Sequence, residues 1–334
     1  GKSASGTGGL LLFKSGVGLT TSSGDIALIS ANSGALGLSG SVRLSTGTAS
    51  RGNSGEVLIS TGLSGDDGRG GEIKFSVGVA SSSTALQGGN LVGIAGDSEA
   101  ATGGHVVVRT GFSSITTSGG IFLATVNAGT TGSSGKVILS TGETSNGDSG
   151  IVQMRSGAAV SGTSGDVLLS SGRGDFGGSI ILNAGETTSA SSAGGDVSLV
   201  AGLGSNSGTS EGGIVSIEGG TSDGISGSNG GRIEMTSGFS RFGTGGNLNI
   251  ITGYSASTTS GLITVATANS ASGGSSGTIS IFTGASSSGA SGTVEVSTGG
   301  TSTGTAGSIS LSVGDSLEES LDSGGGVVTI HAGQ

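Results

Sequence analysis

One phrase recurs along this chain and limits what it can fold into. A glycine is followed two positions later by an aliphatic residue, two further on by another, then by a small residue and a second glycine. Gly40-Ser41-Val42-Arg43-Leu44-Ser45-Thr46-Gly47 is one copy, and Gly292-Thr293-Val294-Glu295-Val296-Ser297-Thr298-Gly299 is another far downstream. With the leading glycine as position zero, repeats start at Gly9, Gly24, Gly40, Gly55, Gly71, Gly89, Gly104, Gly119, Gly135, Gly150 and Gly165. They continue at Gly178, Gly195, Gly213, Gly231, Gly246, Gly261, Gly277, Gly292, Gly307 and Gly326. The spacing averages about 16 residues, the length of a small solenoid coil.

Position two is aliphatic in every copy. Position four is Leu, Ile, Val, Met or Phe almost throughout, with Gly93 the exception, and position six is Thr, Ser, Ala, Val or Gly. A period of two is the pattern of an extended segment with one apolar face. The glycine at position seven, as in Gly47, Gly62, Gly78, Gly111 and Gly142, suits a corner. Variable lengths follow it, so one wall is strict and the return arm elastic. One such unit cannot bury its own apolar face, whereas stacked units can. The expectation is therefore an all-β chain: a single β-solenoid (β-helix) of about 21 rungs, continuous over residues 1–334. At about 4.8 Å per rung it would make a rod on the order of 100 Å long. Its expected core includes Val42, Leu44, Val57, Ile59, Ile73, Val137, Leu139, Val167, Leu169, Ile279, Ile281, Val294 and Val296.

Composition supports order over a flexible linker. There are 76 Gly, but hydrophobic residues make up 32% and mean hydropathy is +0.20, more apolar material than a disordered tract carries. Proline is absent, which suits a backbone whose N–H groups are needed. A net charge of −10 argues against nucleic acid and anionic membranes as partners. No stretch approaches the roughly 20 apolar residues of a membrane span. The absence of Cys leaves the redox compartment unread.

Position three points away from the apolar face. It begins Leu12, Ala27, Arg43, Leu58, Lys74, Val92, Val107, Phe122, Ile138, Gln153, Leu168, Ile181. It then turns polar: Ser198, Ser216, Glu234, Asn249, Thr264, Ser280, Glu295, Ser310. Leu58, Val92, Val107, Phe122, Ile138, Leu168 and Ile181 thus form a candidate lateral contact stripe, covered by another copy or another rod. No helical cap is visible at either end, and the acidic insertion Asp315–Leu321 is too short to be one. The chain opens at Gly1 without Met or a signal peptide, so the expectation is a fragment or subunit whose rungs continue, or stack head-to-tail on copies.

Catalytic chemistry finds no constellation. His105 and His331 are isolated, no Cys–His pair exists, and Ser is too common to single out a nucleophile. Asp25, Glu56, Glu72, Asp166 and Asp196 follow leading glycines, and Glu56 with Glu72 is the one pair in adjacent rungs. They, Asp66-Asp67 and Glu318-Glu319 fall short of the six to eight oxygens calcium takes. The expectation is no enzyme, no cofactor and no metal site. Ice binding would need a regular uncharged outer array, whereas the column that includes Thr46, Thr61, Thr110 and Thr298 faces inward and is interrupted. Aromatics at 3% are few for stacking sugars, although the Ser/Thr surface is open to O-linked glycans; no N-x-[ST] sequon occurs.

The phrase Ser134-Gly135-Lys136-Val137-Ile138-Leu139-Ser140-Thr141-Gly142 resembles the Gly/Ser/Thr-rich repeats of algal and diatom surface proteins and of bacterial β-helical adhesins. That resemblance spans almost the whole chain and implies an extracellular, fibrous or surface-layer role, with no functional residues carried over. The functional expectation is a structural subunit of an extracellular filament or appendage that self-associates end to end or side by side. An adhesin or carbohydrate-binding rod is the alternative.

Overall fold

The computed structural model describes residues 8–65, 67–80, 87–205, 210–223, 228–271, 273–315 and 325–332. Contacts divide the chain into two units, unit 1 from Gly1 to Val167 and unit 2 from Leu168 to Gln334. Each unit repeats one local device: an arm from position zero to position seven, then a loop whose two ends are pinned together.

The pin is a hydrogen bond between glycines. At eight junctions among the described residues the N–H of a leading glycine donates to the carbonyl of the position-seven glycine that precedes it. Gly104 donates to Gly96 at 2.8 Å, Gly195 to Gly185 at 2.9 Å, Gly213 to Gly202 at 2.8 Å and Gly246 to Gly238 at 2.9 Å. Beside this bond the small side chain at position six lies against the next leading glycine. A Cβ at Gly261 would sit 3.1 Å from Thr252 Cβ, and one at Gly231 would sit 2.8 Å from the Gly220 nitrogen. A side chain at Gly231 would need the backbone to shift and one at Gly261 would need Thr252 to give, so these two junctions favour glycine. At two other junctions a hydroxyl makes the link: Thr283 Oγ1 donates to the Gly292 carbonyl at 3.2 Å and Ser171 Oγ to that of Gly178 at 3.0 Å.

Loop length selects the turn inside the loop. Where leading glycines are 15 residues apart, a Ser hydroxyl at position nine accepts the N–H of position twelve. Examples are Ser98 from Ala101 at 3.0 Å, Ser113 from Thr116 at 2.9 Å, Ser255 from Thr258 at 3.0 Å and Ser286 from Gly289 at 3.0 Å. These are the local side-chain bonds that Ser offers a backbone leaving regular structure. Other 15-residue repeats place at position twelve a glycine with left-handed φ, such as Gly52 at 92° and Gly162 at 107°. Repeats of 16 residues instead close a turn from position thirteen to ten: Gly37 to Gly34 at 3.2 Å, Gly68 to Gly65 at 3.1 Å and Gly274 to Ala271 at 3.2 Å.

The arms do not stack. Among the described residues there is neither helix nor strand, so the expected all-β solenoid of about 21 rungs is corrected to an irregular, coil-rich chain. The junction supplies the reason. Seven extended residues span roughly 23 Å. A leading glycine bonded to the end of one arm therefore cannot also lie about 4.8 Å above that arm's start, as a stacked coil requires. The expected aliphatic core is absent with it: no described hydrophobic residue is buried, and Val42, Val57 and Ile73 are 63%, 51% and 45% exposed. Leu44, Ile59, Val137, Leu139, Val167, Leu169, Ile279, Ile281, Val294 and Val296 are exposed likewise. The chain leaves 33447 Å² in water, where a compact protein of its mass leaves about 12,000 Å².

Substitution at a single junction tests the pin. Gly261→Ala is expected to abolish the scalar coupling across the Gly261 N–H to Gly253 carbonyl bond, a loss of roughly 1 kcal/mol. Gly253→Ala, with open space around its Cβ, is expected to keep that coupling in the same NMR experiment.

Candidate interaction surface

The arms alternate sides even without a sheet. A Cβ at Gly120 would meet the Phe122 ring at 3.2 Å, Ser216 Oγ donates to Glu218 Oε1 at 3.2 Å, and Arg232 pairs with Glu234 at 3.0 Å. Each contact joins residues two apart at odd positions, so positions one, three and five share a face. Exposure follows the same period in several arms. Leu58 is 77% exposed between Val57 at 51% and Ile59 at 56%. In those arms the odd residue is the more exposed, and both faces lie open to solvent.

The expected stripe lies on the odd face. Leu58, Val92, Val107, Phe122 and Ile138 are exposed in unit 1, and Leu168 and Ile181 in unit 2. The structure does not bring them into one patch with partners of their own; each stands on its own arm. Cations accompany them in unit 1. Lys14, Arg109 and Arg155 occupy position five, Arg43 and Lys74 position three, and no acid stands at either position of that unit. In unit 2 the charged carboxylates or bases at those positions are Glu218, Glu234 and Glu295, with His331 in the last arm. Hydropathy drew attention to position three in the sequence. The sign of charge at positions three and five was equally readable and is the feature hydropathy alone missed.

The other candidate residues stay apart. His105 and His331 are both exposed, and among the described residues no three His, Asp or Glu side chains gather to hold a metal ion. Asp25, Glu56, Glu72, Asp166 and Asp196 stand on separate exposed arms. Asp66, Glu318 and Glu319 lie outside the described residues, as does most of the insertion Asp315–Leu321. An open cleft at one junction is lined by Arg109, Thr110, Gly111, Phe112, Ser118 and Ile121. It presents one cation beside two apolar side chains and no acid–base pair. Among the described residues no helix is long and apolar enough to cross a membrane. No family model matches this chain, and neither a curated protein nor a solved structure does.

What the arrangement offers chemically is apolar area in regular short segments. An apolar fluorescent dye is expected to bind the dilute chain, and the variant Leu58→Ser, Val92→Ser, Val107→Ser, Phe122→Ser, Ile138→Ser to bind at least about half as much less. Dye fluorescence unchanged by those five substitutions would show that the odd face is not where apolar ligands settle.

Proposed function

We propose that this chain is a structural, non-catalytic repeat protein of an extracellular filament or surface layer, and that it works by association of its arms with copies of itself. The observation that carries this reading is the exposure of the aliphatic columns. Position two alone offers an aliphatic side chain in every repeat, about half of it in water. Burying the remainder is worth about 1 kcal/mol each, so roughly 20 kcal/mol per chain. That exceeds the estimated 4–15 kcal/mol cost of lost rotation and translation on association. Among the described residues the arms form no ladder, and a neighbouring chain would supply partners for their backbone groups. End-to-end stacking of solenoid rungs is no part of this proposal, because the arms do not stack.

The location rests on the Ser/Thr/Gly density and on the resemblance to surface repeats. The exposed loop hydroxyls are the natural attachment points for O-linked glycans on such a surface. Aromatic platforms for a sugar ligand are sparse, so self-association is favoured over carbohydrate capture.

Sedimentation and electron microscopy over a concentration series test the proposal. The expected result is elongated assemblies above a critical concentration. Val42→Ser, Val57→Ser, Ile73→Ser, Val137→Ser and Val294→Ser together are expected to raise that concentration by more than tenfold. A chain that stays monomeric throughout would contradict it.

A further inference from the structure

The two units carry opposite charge on the odd faces of their arms. Unit 1 has nine Lys and Arg against ten Asp and Glu, whereas unit 2 has three against twelve. The contrast sharpens on the odd face. At positions three and five unit 1 presents Lys14, Arg43, Lys74, Arg109 and Arg155, and unit 2 presents Glu218, Glu234 and Glu295. Position one carries both signs: Asp25, Glu56, Glu72, Asp166 and Lys136 in unit 1, and Asp196 and Arg232 in unit 2. With position one included, the odd face is still +2 in unit 1 and −3 in unit 2. On the odd face of unit 1 the acids all stand beside the leading glycine, as Lys136 does, and the other cations stand at positions three and five.

Both faces also carry apolar side chains left in water. Unit 1 offers Leu58, Val107, Phe122 and Ile138 at position three, and unit 2 offers Ile251 and Phe282 at position five. A chain of net charge −10 repels its copies, so close association needs local complementarity to offset that repulsion.

We infer that copies join arm to arm through unlike faces: the cationic odd faces of unit 1 arms dock on the acidic odd faces of unit 2 arms in a second copy. This rests on the self-association proposed above and names its geometry. The contact is heterologous, with a donor surface and an acceptor surface on every chain. Unless its rotation closes a ring, it adds chains without limit and makes a filament. Charge sets the pairing and register, and the interleaved aliphatic and aromatic side chains supply the area that is buried. The Arg232–Glu234 pair is open to water on both sides, so Glu234 remains available to a partner's cation.

Charge reversal on the full chain tests this directly, read as the critical concentration for assembly by light scattering at low salt. The unit 1 set is Arg43→Glu, Lys74→Glu, Arg109→Glu and Arg155→Glu. The unit 2 set is Glu218→Lys, Glu234→Lys and Glu295→Lys. Either set alone leaves two faces of like sign and is expected to raise the critical concentration about tenfold. The two sets combined in one chain restore opposite signs and are expected to return it to within about twofold of the unaltered protein. For the unaltered chain, added salt is expected to weaken assembly as the Debye length shrinks. Assembly of the unaltered chain that neither reversal changes would overturn the inference and leave self-association standing. So would a combined set worse than either alone. An unaltered chain that remains monomeric overturns both.

Discussion

A single hydrogen bond between two glycines organises this protein. At eight junctions among the described residues the end of one arm holds the start of the next through one N–H and one carbonyl, with a small residue beside the bare Cα. Everything local follows from that contact. It favours glycine at position zero and a small residue at position six, and turns the intervening residues into a closed loop. The loop then has to reverse the chain within a fixed number of residues. A Ser hydroxyl or a left-handed glycine manages it at 15-residue spacing, and a turn closed four residues from Gly34 to Gly37 manages it at 16.

The same bond sets what the chain lacks. Where consecutive arms are bonded end to start their lengths do not lie side by side, and among the described residues no aliphatic side chain is buried. A chain with apolar residues at such regular intervals is poorly served by water. On the proposal of self-association, burial of those columns supplies the driving force and the segregation of charge between the two units sets the arrangement. Structure and proposed role are thus linked by one deficit: a local fold completed in its loops and incomplete in its arms.

Much of the local architecture was legible in the residues. The period of two predicted alternation, and the contacts Arg232–Glu234 and Ser216–Glu218 bear it out at odd positions. Glycine at position zero was recognised as the repeat's landmark. Its partner was not, because a bond from Gly104 to Gly96 is a relation between two backbones that side-chain patterns do not encode. The aliphatic column points to stacking, on the ground that apolar faces favour burial. Val42, Val57 and Ile73 show where that step failed: the column states that burial is favourable, and does not state whether the covering surface comes from the same chain. The candidate stripe suffered from reading hydropathy without charge, since Arg43 and Lys74 sit in the same column as Leu58 and Val92.

Residue-resolved amide hydrogen exchange on the dilute, unassembled chain addresses the central claim most directly. The account predicts slow exchange at isolated junction amides, Gly104, Gly213 and Gly246 among them, and fast exchange along the arms, as at Val106, Val107 and Val108. Protection running through the arm amides of many consecutive repeats as one cooperative block would contradict it, because only arms paired with one another in the same chain could hold those protons.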